Sequence, residues 1–181
     1  MALLQGGNIA NIERVKIVTQ ESTSKTYTLD TATSASFTGV LSEGAETELR
    51  VKNTIHGLIR TEDLVKGYDI EIEDQTLIMQ VLALIDGGEY TDGPNPTYTA
   101  PAAGVAVERT KFDLFLYTSD RDTDGSAESY HEWKFPSCKG KPVDGAFTDG
   151  EFAKTTYKIT SRPASGESPM AVARVSELPA A

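Results

Sequence analysis

A two-residue alternation of apolar and polar side chains constrains the fold of this chain more than any other feature. It is clearest just after Gly67, where residues 68–73 read Tyr-Asp-Ile-Glu-Ile-Glu. This is the period of a β-strand that turns one face to a core and the other to water. Segments rich in β-branched and aromatic residues predict further strands over residues 15–20, 25–29, 36–41, 47–59, 108–118, 130–135, 151–161 and 170–178.

Three of these segments are expected to supply much of the core. Residues 47–59 alternate as one half-buried strand, and residues 151–161 form a final core strand that begins with Phe152. Between them along the chain, Trp133 and Phe135 are spaced to point inward from the same strand face.

One segment has a helical pattern instead. It runs from Thr76 to Asp86, with Asp74 or Thr76 as the expected N-terminal cap and Gly87-Gly88 as a left-handed end. The side of this helix away from the sheet carries no charge before Asp86. It is therefore either covered by a second surface or buried within one chain. The residues expected to pack on the sheet are Leu77, Val81, Leu84 and Ile85.

The predicted fold is mainly β, a β-sandwich or barrel-like domain with one flanking α-helix over about residues 76–86. Residues 89–104, with three prolines, are expected to form a long irregular loop. We predict an N-terminal arm over 1–14, the β-sandwich domain over 15–162, and a C-terminal linker and arm over 163–181.

Composition limits the partners and the compartment. The formal net charge of −10 predicts repulsion from phosphate backbones and anionic membranes. Cys138 is the single cysteine, so no internal disulfide is expected. The first residues lack the basic and apolar regions of a signal peptide, which predicts folding in a cytoplasm.

Motifs for catalysis are absent from the sequence. It contains neither a Gly-x-Ser-x-Gly elbow nor a phosphate-binding loop, and its two histidines, His56 and His131, are too few for a histidine metal triad. We therefore predict that the protein is not an enzyme and uses no cofactor.

One acidic segment resembles the start of a calcium loop. Asp120, Asp122, Asp124 and then Gly125 follow the expected spacing, but position twelve of such a loop is His131 rather than glutamate. The flanking residues also predict strands rather than helices. A weak calcium site and an acidic hairpin turn both remain open for this segment.

Asp69, Glu71 and Glu73 form the polar face of the strand over 68–73. Paired carboxylates can perform acid–base chemistry when their environments differ, but three in a row on one strand face predict a solvated surface. That surface is either an ordinary outer face or the wall of a shared aqueous channel.

The order and spacing of several segments resemble a known family. The segments are Ser42-Glu-Gly, Leu49-Arg-Val-Lys-Asn-Thr-Ile, Glu62-Asp-Leu-Val-Lys-Gly-Tyr-Asp, Leu82-Ala-Leu-Ile-Asp-Gly-Gly, Trp133-Lys-Phe-Pro-Ser-Cys-Lys-Gly, Ile159-Thr-Ser-Arg-Pro and Gly166-Glu-Ser-Pro. Together they are similar to the tail tube, or major tail, proteins of long-tailed bacteriophages that infect Gram-positive bacteria. The similarity covers about residues 42–170.

The resemblance implies a structural virion protein that polymerises as stacked hexameric rings into a hollow tail tube. Its partners would be further copies of the chain, the tape-measure protein and the tail-tip and terminator proteins. DNA would pass through the lumen without adhering, and Asp69, Glu71 and Glu73 are the lumen-facing candidates. Long loops and terminal arms would bridge the rings. The protein would be located in the virion tail after assembly in the host bacterial cytoplasm, and it would not bind membranes.

Two other functions fit the same residues. One is a tail-completion or tail-tip protein that shares the fold without polymerising. The other is a ligand-binding β-sandwich, in which Trp133, Tyr90 and Tyr98 would offer stacking faces to a carbohydrate.

Overall fold

A computed structural model describes residues 8–121 and 127–180, with the side chains of residues 127 and 128 left aside. Those residues form thirteen strands and one helix, which confirms the predicted mainly β fold class. The strands are β1 Ile9–Thr19, β2 Thr26–Leu29, β3 Ala32–Ser42, β4 Glu46–Val51, β5 Thr54–Arg60, β6 Leu64–Asp74, β7 Glu89–Thr91, β8 Thr97–Thr99, β9 Phe112–Arg121, β10 Ala127–Gly140, β11 Asp144–Ala146, β12 Lys154–Ser161 and β13 Ala171–Val175. The helix is α1 Met79–Asp86.

Nine strands form one antiparallel sheet in the order β2-β1-β9-β10-β12-β6-β3. Strand β11 pairs with β12. Strand β13 pairs with β10, which also pairs with β9. The hairpins β4-β5 and β7-β8 are separate two-stranded sheets.

The large sheet curls so that β1, next to one end strand, approaches β3 at the other end. β1 and β3 come into contact although no ladder joins them among the described residues. Phe37 of β3 packs against Phe135 and Trp133 of β10, with ring centroids 5.3 and 5.6 Å apart. Trp133 and Phe135 therefore point inward, as the sequence predicts. The closed layer surrounds a core that includes Val15, Ile17, Leu29, Ile70, Ile72, Phe112, Leu114, Tyr157 and Ile159.

The helix is shorter than its sequence pattern. It begins at Met79, and its N-terminal cap is Ile78, which makes no side-chain capping bond, so the expected caps Asp74 and Thr76 are wrong. Asp74 belongs to β6 instead, where its buried carboxylate accepts a hydrogen bond from Thr31 Oγ1 at 2.5 Å. Because β6 pairs with β3 and β12 as far as Asp74, the strand continues to that residue. Residues 75–78 then connect the strand to the helix.

The helix packs on the core through three of its four predicted residues. Val81 and Ile85 are fully buried, and Leu84 is half-buried against the same cluster. Leu77 is wrong as a packing residue, because it precedes the helix and is 53% exposed. The helix ends at Gly87 in the left-handed conformation. Its last turn lies so close to β10 that a Cβ on Gly140 would come within 2.0 Å of the Ile85 carbonyl oxygen.

Two strand predictions fail for local reasons. Residues 47–59 form the hairpin β4-β5 rather than one strand, because Lys52 adopts a left-handed conformation (φ 55°) and reverses the chain. The final core strand begins at Lys154, after a glycine turn at Gly150, so Phe152 lies in a connection and is 84% exposed.

All three segments expected to be irregular or arm-like contain strand residues. Residues 89–104 contain the short hairpin β7-β8, which contacts α1. The predicted C-terminal arm contains β13, which pairs along β10 from Tyr130 to Lys134 of the same chain. β1 begins at Ile9, so the strand includes part of the predicted N-terminal arm over 1–14.

Candidate functional site

The most unusual feature of the molecule is a long two-stranded extension, here called the ribbon (residues 41–65). β3 pairs with β6 as far as Ser42 and Leu64, and β4 continues beside β5 from Glu46 to Arg60. The two ladders are joined where the Gly44 amide donates to Asp63 Oδ1 at 2.8 Å. β12 pairs with β6 only from Tyr68 onward, so the ribbon extends past the end of the closed sheet.

The ribbon exposes apolar side chains that fill no part of the chain's own core. Every residue of β4 and β5 is exposed, and Ile59 reaches 73%. A lone two-stranded hairpin is marginally stable in water at best, and a contiguous exposed apolar patch marks an interaction surface. The exposed large apolar residues of the ribbon are Leu41, Leu49, Val51, Ile55, Leu58, Ile59, Leu64 and Val65.

Both strands of the hairpin also have a free edge. β4 and β5 pair only with each other among the described residues. An unpaired strand edge presents a row of backbone donors and acceptors that another chain can extend. The ribbon is therefore suited to bind a second polypeptide through backbone bonds and apolar contacts together.

The tip of the ribbon is basic within an acidic protein. Residues 49–57, the outer part of the hairpin, carry Arg50 and Lys52 and no acidic residue, although the whole chain has a net charge of −10. Arg60 makes a 3.4 Å ion pair with Asp63 at the base of the hairpin. Arg50 and Lys52 lie further out, on the exposed strand β4 and its turn.

A second exposed apolar surface lies in the connection from β11 to β12, here called the phenylalanine loop (residues 147–153). Phe147 and Phe152 are each 84% exposed. Between them stand Asp149 and Glu151, both exposed, and residues 142–153 contain no basic residue. Sequence reasoning missed this surface, because it assigned Phe152 to the core.

The phenylalanine loop borders an open groove of about 380 Å³ beside α1. Most of the lining is apolar, from Leu77, Leu82, Val143 and Phe147. Tyr98 closes one side and donates a hydrogen bond to the carboxylate of Asp86. Burial and this carboxylate raise the pKa of Tyr98 above its ordinary value, so the phenol stays neutral.

The three candidate lumen residues do share one outward sheet face. Ile70 and Ile72 of β6 are buried, while Asp69, Glu71 and Glu73 alternate with them and point away from the core. Neighbouring strands add mainly hydroxyl groups to this face, because directly paired residues lie on the same side of a sheet. The paired neighbours are Ser34, Ser36 and Thr38 of β3 and Thr156, Lys158 and Thr160 of β12.

The face is less anionic than the isolated strand pattern predicts. Asp69 pairs with Arg162 Nη2 at 2.7 Å and lies 3.9 Å from Lys141 Nζ. Lys158 projects between Glu71 and Asp144 and donates a hydrogen bond to Asp144. The sequence pattern of one strand contains no information about which cations its neighbours contribute.

The calcium prediction falls mostly outside the described residues, since Asp122 and Asp124 lie between 121 and 127. Asp120 is nearly buried, and its Oδ2 accepts hydrogen bonds from Arg174 Nη2 at 3.2 Å and from Ser129 Oγ at 3.4 Å. Asp120 thus has a structural role in holding β13 against the sheet. Within residues 8–121 and 127–180, no three His, Cys, Asp or Glu side chains cluster as metal ligands would.

Only two of the three proposed carbohydrate-stacking residues, Tyr90 and Tyr98, lie side by side. Trp133 lies inside the aromatic cluster with Phe37, and its Nε1 donates to Thr118 Oγ1 at 3.1 Å. Tyr98 borders the groove, and Tyr90 pairs with it across the β7-β8 hairpin. Cys138 is fully buried, and burial raises the pKa of its thiol to about 12, so it stays protonated.

No protein-family model matches the chain, and no curated protein matches it in sequence. Within the part of the chain that the structure describes, α1 is too short to cross a bilayer, and no other helix is present.

Proposed function

We propose that this protein is a structural subunit that polymerises with copies of itself, as stacked hexameric rings that build the tail tube of a bacteriophage. The observation that carries the proposal is the ribbon. It extends beyond the closed sheet, leaves both strand edges unpaired, and exposes eight large apolar residues. A chain that stays alone in solution gains nothing from such a surface, whereas a subunit of a polymer covers it.

The chemistry of the remaining surface supports an assembly role rather than catalysis. The groups that stand out are apolar side chains and backbone strand edges, which make non-covalent contacts and hydrogen bonds with another chain. Identical copies that join through different surfaces form rings when the rotation closes and extended helices when it does not. A tube of stacked rings uses both outcomes. The proposed partners of the assembled tube are the tape-measure, tail-tip and terminator proteins, and DNA would pass through its lumen.

Electron microscopy of the purified full chain tests the proposal. Negatively stained samples over rising concentration should contain rings or tubes. Interfaces in such assemblies are expected to bury on the order of 2,000 Å² each. Particles that remain single at every concentration would favour the non-polymerising alternative, a tail-completion or tail-tip protein.

The polar face of β3, β6 and β12 is our candidate for the wall of the lumen. Small hydroxyls and carboxylates offer phosphates no counterion-releasing contact, so DNA can slide past them. The salt-bridged cations Arg162 and Lys158 are partly neutralised by Asp69 and Asp144. Replacing Asp69, Glu71 and Glu73 together with lysine should give assembled tails with slowed DNA ejection. Unchanged ejection from intact tails would place this face outside the channel.

The groove beside α1 favours a second candidate, a ligand-binding β-sandwich. Its volume of about 380 Å³ lies at the lower end of small-molecule sites, and its lining is mainly apolar. A ligand that binds there should shift the NMR resonances of Tyr98 and Leu77 while the protein stays monomeric. Assembly without any small molecule would favour the structural role.

A further inference from the structure

The ribbon and the phenylalanine loop lie at opposite ends of the same strand. β6 leaves the ribbon at Leu64 and ends at Asp74 beside Thr155 of β12. Ten residue steps at about 3.3 Å separate these ends by roughly 33 Å. Ala146 pairs with Lys154 at the Asp74 end, so the loop between them extends away from the ribbon.

The two ends are complementary in charge. The ribbon tip, residues 49–57, has two cations and no acid, whereas residues 144–153 have three acids and no base. Each end also exposes large apolar side chains beside its charges. Opposite potentials steer two surfaces together and fix their register, while desolvated apolar anchors supply most of the binding energy.

The geometry points to a head-to-tail contact in which the ribbon tip of one copy docks on the phenylalanine loop and groove of the next copy. This inference rests on the proposed polymerisation and names the surfaces that perform it. Copies that all point the same way make this contact head to tail and add in one direction along β6, whereas two antiparallel copies that made it reciprocally would close a two-fold dimer and stop. In this contact Arg50 and Lys52 of the first copy face Asp149 and Glu151 of the next copy. Phe147 and Phe152 of that next copy pack on the apolar side chains of the first copy's ribbon.

Charge reversal provides the test. Variant A, R50E/K52E, has two acidic ends, and variant B, D149K/E151K, has two basic ends. Each variant alone should raise the critical concentration for assembly about tenfold or more, because like charges then meet at every contact. An equimolar mixture of A and B should assemble near the wild-type concentration. In that mixture every A tip meets a B loop and every B tip meets an A loop.

The control variants keep the charges and change only the side chains: R50K/K52R and D149E/E151D. They should assemble like the wild type, and all variants should unfold at the wild-type urea midpoint because the four residues are exposed. Assembly of A or B at the wild-type concentration would overturn the contact. If A and B each assemble poorly and their equimolar mixture also assembles poorly, the proposed contact is wrong, because the charges then act at other surfaces. A wild type that never assembles would instead defeat the proposed polymerisation.

Discussion

The two ends of β6 have opposite surroundings. Residues 68–74 are flanked by β3 and β12, and Ile70 and Ile72 are buried in the chain's own core. Residues 64–66 pair only with β3, and Leu64 and Val65 are exposed together with the rest of the ribbon. Apolar and polar side chains alternate over 68–73, whereas Leu64 and Val65 are adjacent apolar residues that also suit a strand. What differs is which chain covers the apolar side chains. At residues 64–66 we propose that another copy covers them.

The largest expected difference between the two regions is in the stability of the isolated chain. Ile72→Ala should lower the free energy of unfolding by about 2–5 kcal/mol, because it empties a fully buried site. Ile59→Ala, in the ribbon, should change it by less than about 0.5 kcal/mol. Urea unfolding below the assembly concentration measures both. A cost for Ile59→Ala equal to that for Ile72→Ala would mean that the ribbon belongs to the core.

Two substitutions near the helix, one at a buried residue and one at an exposed residue, make the same comparison of stability. Ile85→Ala should cost about 2–4 kcal/mol, whereas Leu77→Ala should cost less than about 1 kcal/mol because Leu77 precedes the helix and is exposed. Thermal unfolding of the two variants at equal concentration checks the ranking. The reverse ranking would place the start of the helix before Leu77, as its sequence pattern predicts.

The core should also respond to alkaline pH in a way that the ribbon does not. Burial and the neighbouring Asp74 carboxylate raise the pKa of Tyr157 from 10.0 to about 12. A raised folded-state pKa contributes stability below pH 10, and that contribution is lost as pH rises from 10 towards 12. Unfolding free energies should fall by on the order of 1–3 kcal/mol across this window.

The matched control is Tyr157→Phe, which keeps the buried ring and removes the ionisable group. The substitution should change the free energy of unfolding by no more than about 1 kcal/mol at pH 7. Above pH 10 that free energy should fall less steeply than in the wild type. An identical alkaline decline in both proteins would assign the effect to other tyrosines, such as Tyr117, whose pKa is also raised by burial and by Glu132.

The smallest expected effect concerns the polar sheet face. Arg162→Met removes the 2.7 Å ion pair with Asp69, whose side chain is partly exposed. Such surface pairs contribute about 0–1 kcal/mol, so the urea midpoint should barely move. A loss above about 2 kcal/mol would show that this face is buried within the folded chain and is not a candidate channel wall.

The sequence predicts best where one chain contains both partners of a contact. The alternation over 68–73, the inward Trp133 and Phe135, and the buried Val81 and Ile85 all follow from periodicity, because a core face has a fixed period. Periodicity does not say where a chain reverses. The turn at Lys52 lacks the glycine that marks most tight hairpins, so the pattern over 47–59 predicts one strand.

The candidate surfaces are harder to predict for a physical reason. An exposed Phe152 and a buried one have the same local sequence pattern, and the turn at Gly150 decides between them. Likewise, Asp69 gains Arg162 and Lys141 only through strand pairing and loop placement across the fold. Contacts between residues far apart in sequence determine the electrostatics of both surfaces.

Amide hydrogen exchange, compared between the single chain and its assembled form, tests most directly whether a second copy covers the ribbon. In the single chain, residues 68–74 should exchange slowly and residues 46–60 quickly, because the hairpin has little packing to hold it closed. After assembly and pelleting, exchange in 46–60 should slow by at least about a hundredfold, while 68–74 should change little. Fast exchange over 46–60 in the pelleted polymer would contradict the account, because the ribbon would then remain exposed in the assembly.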